Sequence, residues 1–166
     1  MPCAASPTLE ARDLCCRRGD RLLLTGLSFT LARGEILQIT GANGAGKTTT
    51  FHMMVGLVHP DEGKVSLNGE DLTAMPIYQR ARAGLSYLPQ ESSVFRRLTV
   101  EENILAILET LSLSEAEQSE RAERLMRMLG VFELAKQKAV TLSGGERRRV
   151  EIARALVLSP FFILLD

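Results

Sequence analysis

Residues 41–48 read Gly41-Ala42-Asn43-Gly44-Ala45-Gly46-Lys47-Thr48, a glycine, four further positions and then Gly-Lys-Thr. That spacing suits a loop that cradles phosphate, because glycines at 41, 44 and 46 allow positive φ and bring backbone N–H groups against anionic oxygens. Lys47 adds a point charge for the β and γ phosphates of a nucleoside triphosphate. Thr48 offers a hydroxyl to the magnesium ion that bridges them, and Thr49 is placed to assist at the α phosphate. The pattern carries weight only between a buried strand and a helix. Glu35 to Thr40, opened by Gly34, is a short apolar run that predicts a strand; Lys47 to Val55 has neither glycine nor proline before Gly56 and predicts a helix. The alternative, a glycine-rich turn that binds nothing, does not account for these flanks.

A second stretch, Leu142-Ser143-Gly144-Gly145-Glu146, reads first as a capping box, in which Ser143 accepts from an early helix N–H and Glu146 reaches back. Capping needs only Ser143 and Glu146. The paired glycines between them expose bare backbone N–H groups at a positive helix terminus, which predicts a second anion-binding surface.

The elements that must position these loops follow from local pattern. Leu9 to Cys16 and Leu27 to Ala32 are rich in β formers and flank the turn-prone Arg18-Gly19-Asp20 and the apolar Leu22-Leu23-Leu24, which predicts an antiparallel lobe. Asp61-Glu62-Gly63 is expected to turn, Lys64 to Leu67 to form a strand, and Asn68-Gly69 to return the chain. A helix is expected from Pro76, and Leu85 to Leu88 reads as a buried strand ending at Pro89-Gln90. Glu91 to Arg97 is expected to be a surface loop. Capping boxes at Thr99 and Ser114 open two helices, the first with Val100, Ile104, Ile107, Leu108 and Leu111 on one face, the second with Glu117/Arg121, Glu120/Arg124 and Glu123/Arg127 pairs before Gly130. A helical subdomain over about 99–158 thus interrupts the strand and helix alternation before a closing strand, Phe161 to Leu165.

Composition narrows the class. With 166 residues and 45% hydrophobic content, the chain predicts one domain with a real core. Twenty basic residues balance twenty acidic ones, so no overall field gathers nucleic acid or an anionic surface. Arg147, Arg148 and Arg149 point in different directions on a helix and read as rim and interface charges. Cys3, Cys15 and Cys16 lack metal-ligand spacing and suit a reducing cytoplasm, and no apolar run approaches the ~20 residues needed to cross a bilayer.

In order along the chain, the loop at 41–48, Gln90 after a strand, Leu142-Ser-Gly-Gly-Glu146 and Phe162-Ile-Leu-Leu-Asp166 resemble the ATPase subunits of ABC transporters. That resemblance implies an α/β fold of the ABC-type P-loop NTPases: a mostly parallel core sheet, an antiparallel β lobe and a helical subdomain, reaching the Walker B strand at residue 166. It implies ATP and Mg2+ as ligands, with Gln90 touching magnesium and sensing the γ phosphate and Asp166 holding magnesium through water. Lys47, Gln90 and Asp166 are thereby the catalytic candidates. The resemblance also implies that Ser143, Gly144, Gly145 and Glu146 face ATP bound to another copy, so that a homodimer sandwiches two nucleotides. Membrane permease subunits are the further partners it implies. Phe95, Arg96 and Arg97 fall where the family receives a membrane helix, an aromatic among arginines being a suitable hot spot, with minor core as the other reading of Phe95.

Within the family, Tyr87 to Val100 and Gly144-Gly-Glu-Arg-Arg-Arg-Val-Glu-Ile-Ala-Arg154 resemble the lipopolysaccharide-export ATPases of Gram-negative bacteria, a likeness running over about 48–166. Leu9 to Leu14, Gly26 to Leu31 and Gln38-Ile39 resemble instead the haem-export ATPases of cytochrome c maturation, which predicts a hybrid sequence joined at the phosphate loop. The expected function is ATP-driven lipopolysaccharide export from the cytoplasmic face of the inner membrane, with haem export as the alternative. A non-transport ABC ATPase or an inactive fragment is the alternative of another class. Arg18 stands where many relatives place an aromatic ring against adenine; an arginine stacked on the base and a solvated turn residue are both readings of it. The family's general-base glutamate follows the Walker B aspartate, and its absence after Asp166 predicts nucleotide binding with weak or absent turnover. The family's further core strands also follow, so the 161–165 strand region is expected to carry poorly covered apolar surface and the chain to be marginally soluble.

Overall fold

The structure, a computed structural model, describes residues 7–19 and 21–166. Cys3 and the side chain of Arg18, both singled out above, lie outside the described residues. The chain divides into two compact units, Met1–Leu85 and Ser86–Asp166.

The first unit carries β1 (Thr8–Arg18), β2 (Arg21–Ala32), α1 (Lys47–Val55), β3 (Glu62–Leu67), β4 (Glu70–Asp71) and α2 (Ile77–Ala83). The strands form one sheet in the order β2-β1-β3-β4 with every neighbour antiparallel, as the β-rich pattern predicts. Strand alternation alone does not explain which side chains of β1 face inward. Leu9 and Ala11 are buried, then Leu14 and Cys16, a switch from odd to even positions. The switch is made at Asp13, whose φ of 50° marks an irregularity where the register with both neighbours shifts. An extra residue in one strand flips the faces of everything after it. The Ser28 hydroxyl donates to Asp13 Oδ1 at 3.0 Å and accepts from the Asp13 N–H at 2.7 Å, fixing the bulge.

Two expectations are corrected here. Residues 61–63 are not simply a turn: Glu62 and Gly63 already belong to β3. Residues 35–40 form no strand, and Ile36 is 97% exposed. The apolar run has strand propensity, but that propensity measures fit to a pleated, half-buried surface, and no neighbouring strand pairs with it among the described residues. Leu22 to Leu24, by contrast, lie within β2.

The second unit holds α3 (Val100–Leu108), α4 (Glu115–Met128), α5 (Gly144–Leu156) and β6 (Phe162–Leu165), with β5 (Leu85–Leu88) entering it from Ser86 onward. Its core joins Val100, Ile104 and Leu108 of α3 to Ala122, Leu125 and Met126 of α4 and Val150 and Ala153 of α5, with Ile107 and Leu111 packed at its edge. The three helices are opened by Thr99–Glu102, Ser114–Glu117 and Ser143–Glu146, each a complete capping box. Of the three expected ion pairs on α4, Glu120–Arg124 and Glu123–Arg127 form; Glu117 is spent on its cap, and Arg121 donates to Ser159 instead. Strands β5 and β6 pair, and the Asp166 N–H donates to Leu88 O at 3.2 Å, which brings their carboxyl ends together and makes the pair parallel. Phe162 and Leu164 are buried, whereas Phe161, Ile163 and Leu165 are exposed.

One interaction in the first unit was not visible in the sequence. Arg80 of α2 is 1% exposed, and its guanidinium donates to Met53 O and Met54 O at 2.7 and 2.8 Å, closing the carboxyl end of α1. The same group donates to Thr73 O and Met75 O, both at 2.8 Å. Gly56 must be glycine beside it, since a Cβ there would lie 2.8 Å from Arg80 Nε. Burial depresses the basicity of this guanidinium, and Asp71 partly restores it. Arg80→Met leaves these carbonyls without their donor and is expected to lower unfolding stability by about 3 kcal/mol, measured by urea denaturation; a loss below about 1 kcal/mol would show that the bonds carry little.

Candidate functional site

The loop at 41–48 leads directly into α1, as its spacing requires. Gly44 and Gly46 adopt φ of 80° and 91°, a region that side chains disfavour, while Gly41 is nearly extended. Gly46 has a second reason to be glycine: a Cβ there would come within 2.9 Å of Leu23 O on β2. The loop is thereby seated on β2 rather than on the strand expected at 35–40. Lys47 folds back over the loop and donates from Nζ to Gly41 O and Ala42 O, both at 2.8 Å. That posture holds the ammonium above the loop mouth, where anionic oxygens would exchange for carbonyls. Ala45 closes the turn by donating to Ala42 O at 3.1 Å, and Thr50 ties its own N–H and hydroxyl to Gly46 O at 2.8 and 3.0 Å.

The helix ends differ in a way that bears on ligands. Every helix start leaves N–H groups without intrahelical acceptors. In α3, α4 and α5 a Ser or Thr with a Glu three residues on supplies acceptors; α1 is preceded by Gly46, which has no side chain to do so. Asn43, Gly44, Ala45 and Thr48 are exposed around this end. The arrangement fits a phosphate group: a helix start without a capping side chain, a positive helix end and a lysine.

In the second unit Gln90 is exposed two residues beyond β5, and Asp166 follows β6, so both stand at the carboxyl end of the parallel pair. The Tyr87 hydroxyl donates to Asp166 Oδ2 at 3.1 Å. Burial and then this bond push the Tyr87 phenol up to about 12, so it remains a neutral donor. From sequence, Tyr87 is named only as the start of the stretch to Val100 and is given no part in the site; its place three residues before Gln90 was the available signal.

Ser143, Gly144 and Gly145 are exposed at the start of α5. The Ser143 hydroxyl accepts from the Glu146 N–H at 3.3 Å, and the Ser143 N–H donates to Glu146 Oε2 at 2.8 Å, which holds the Glu146 carboxyl below the usual range. A Cβ on Gly144 or Gly145 would meet nothing within 4 Å, and neither residue has a positive φ. The fold itself does not demand glycine at either place.

Phe95 is 48% exposed, with Arg96 and Arg97 exposed after it. Arg154 of α5 lies over the Phe95 ring, its guanidinium carbon 4.4 Å from the centroid. Arg147, Arg148 and Arg149 of α5 are not all rim charges. Arg148 donates to Pro89 O at 2.8 Å and Arg147 to Leu142 O at 3.0 Å, while the exposed Arg149 reaches Gly130 O at 3.3 Å.

Comparison with known proteins agrees with this geometry. The family model described as "ABC transporter" matches residues 24–166. The lipopolysaccharide export system ATP-binding protein of Acidithiobacillus ferridurans is 53% identical over 161 residues, 97% of this chain and 67% of that protein. The alignment therefore runs continuously through the phosphate loop, where a junction between two families was expected. The protein of the same name from Escherichia coli K12 is 48% identical over 96% of this chain and 66% of its own length. An uncharacterized ABC transporter ATP-binding protein of Rhizobium meliloti is 49% identical over 96% and 59%. The chain thus spans roughly three fifths to two thirds of the curated relatives it matches. Among solved structures, a nucleotide-free ATP-binding cassette from an ABC transporter superposes with a TM-score of 0.85 at 27% identity, covering 96% of this chain and 68% of that one. An ATP binding subunit of an ABC transporter superposes at 0.82 with 31% identity, over 95% and 65%. By sequence and by fold, this chain belongs to the ABC transporter family, with the architecture of its ATP-binding subunits.

Proposed function

We propose that this chain binds MgATP through residues 41–49 and serves as the energy-coupling subunit of an exporter, with lipopolysaccharide as its cargo. The observation that carries the nucleotide reading is the start of α1: a glycine in place of a capping side chain, with the Lys47 ammonium held over the Gly41 and Ala42 carbonyls. Backbone N–H groups of Gly44, Gly46 and Lys47 would take the β phosphate and the Lys47 ammonium the β and γ oxygens. A bound magnesium ion would supply charge neutralisation at those phosphates. Its proposed ligands are Thr48, Gln90 and Asp166. Hydroxyl, amide and carboxylate oxygens are the hard donors it takes, and it is usually held by substrate phosphates and one or two protein groups rather than a protein cage. No cage of three or more His, Cys, Asp or Glu side chains occurs among the described residues.

Ser143 to Glu146 are proposed to receive the ATP of a second copy. Support comes from Gly144 and Gly145, whose missing side chains are not required by backbone angle or neighbouring atoms, and so leave room for something from outside. Export of lipopolysaccharide is supported by the two export-system relatives, at 53% and 48% identity. Phe95 with Arg96 and Arg97 is the proposed contact for the membrane subunits. No helix among the described residues is long and apolar enough to cross a membrane, which is compatible with a peripheral subunit on the cytoplasmic face.

Lys47→Ala is expected to weaken MgATP binding about tenfold or more, read by titration with a fluorescent ATP analogue, because a charge-assisted contact is lost. An unchanged affinity would remove the phosphate-loop reading. For the partner, purified lipopolysaccharide-export membrane subunits are expected to retain the chain, and Phe95→Ala to weaken that retention by at least about tenfold. Retention by haem-export membrane subunits instead would reassign the cargo.

A further inference from the structure

Glu151, in the middle of α5, is 4% exposed and has no part in nucleotide binding as described above. Burying a carboxylate is expensive, and an apolar residue would pack a helix at lower cost, so the surroundings of this one must offset a large desolvation. They do so with donors from the stretch after β5 and from α5 itself. Glu151 Oε1 accepts from the Ser92 hydroxyl and from the Ser93 N–H, both at 2.8 Å. Oε2 faces Arg148 at 3.2 Å, and Arg148 in turn donates to Pro89 O. One turn further along α5, Arg154 donates to Ser93 O and covers the Phe95 ring.

Residues 148, 151 and 154 are three apart and share one stripe of α5. Together they grip positions 89, 92, 93 and 95, the segment that contains Gln90 and ends at the exposed aromatic. Ser92 and Ser93 are themselves exposed, so no apolar burial holds that side of the loop; Val94, which is buried, anchors the other. The far end is clasped by Asn103 of α3, which accepts from the Phe95 N–H at 2.8 Å and donates to Phe95 O at 3.1 Å.

We propose that Glu151 is a positioning residue whose carboxylate locks the segment from Pro89 to Phe95 onto α5, so that the loop carrying Gln90 and Phe95 and the helix headed by Ser143 move as one piece. The consequence rests on the roles assigned above to Gln90, Phe95 and Ser143: a displacement of the Ser143 end is delivered to Phe95 without slack, and the reverse. The lock itself is a property of the chain without nucleotide or partner.

Hydrogen exchange on the unliganded chain, resolved by peptide, tests it. Glu151→Gln keeps the shape but presents an amide nitrogen to a donor on one side or the other. It is expected to speed exchange over 91–95 about tenfold or more while α3 and α4 keep their protection. Ser92→Ala is expected to speed the same segment by less, and the double variant to add nothing to Glu151→Gln, as for two members of one network. ATP-analogue affinity is expected to stay within about twofold in all three, since an altered loop lock does not reach the phosphate contacts. Unchanged exchange over 91–95, additive effects in the double variant, or a rise spread equally over α3 and α4 would each overturn the proposal. A wild-type chain that binds no ATP but shows this exchange pattern would overturn the nucleotide reading and leave the lock standing.

Discussion

Backbone N–H groups at helix starts have to find acceptors, and much of this molecule is organised by where those acceptors come from. Three helices of the second unit supply their own, through Thr99 with Glu102, Ser114 with Glu117, and Ser143 with Glu146. Their ends are closed, and α3 and α4 serve chiefly to build a core around Val100, Ile104, Leu125 and Val150. Helix α1 is left without such a side chain. That is tolerable because this end is exposed to water, and it becomes favourable when an anion arrives. At α5 the two strategies coincide, a closed cap followed by two glycines that the fold does not need.

Those features were legible because they are local. A capping box needs a Ser or Thr and a Glu three residues apart, a phosphate loop needs glycines at fixed intervals, and both survive any tertiary arrangement. The failure at 35–40 has the opposite cause. Strand formation depends on a partner supplied from elsewhere in the chain, and apolar alternation says nothing about whether one is adjacent. The antiparallel lobe was foreseen, yet the parity switch in β1 was not, because Asp13 has ordinary composition and only its φ of 50° reveals the irregularity. Had Leu9, Ala11, Leu14 and Cys16 been set against strict alternation, the break between 11 and 14 would have been the available sign.

Arg80 and Glu151 escaped for a further reason. Both are charged residues that lie buried, and composition places such residues on the surface by default. Each is buried because it satisfies several polar groups at once: Arg80 four backbone carbonyls, Glu151 a backbone N–H together with a hydroxyl and a guanidinium. A charged group can hold irregular backbone where no ladder does, since it accepts or donates in several directions from one point. That is a different task from pairing charges, and it leaves no periodic trace in sequence. The residues served by Arg80, at 53, 54, 73 and 75, and those served by Glu151, at 92 and 93, all sit where regular structure stops or has not begun.

The protonation of these groups decides whether the second unit keeps one geometry near neutral pH. For Glu151, burial alone would raise the carboxyl, but Ser92, Ser93 and Arg148 together outweigh it and hold it below the ordinary range. A lowered carboxyl contributes stability that is present above its unfolded value and is lost only as pH falls through the folded one, so the lock is charged at neutrality. The Tyr87 phenol has the opposite sign. Raised to about 12, chiefly by burial, it contributes stability below its unfolded value that is lost only as pH rises through the folded one. Its bond to Asp166 is therefore intact over the same range as the Glu151 lock. The two contacts fix the loop after β5 and the end of β6 with groups that do not titrate between them. A change in the position of the loop after β5 at neutral pH then requires a change in what binds there, not in the charge of Glu151 or Tyr87.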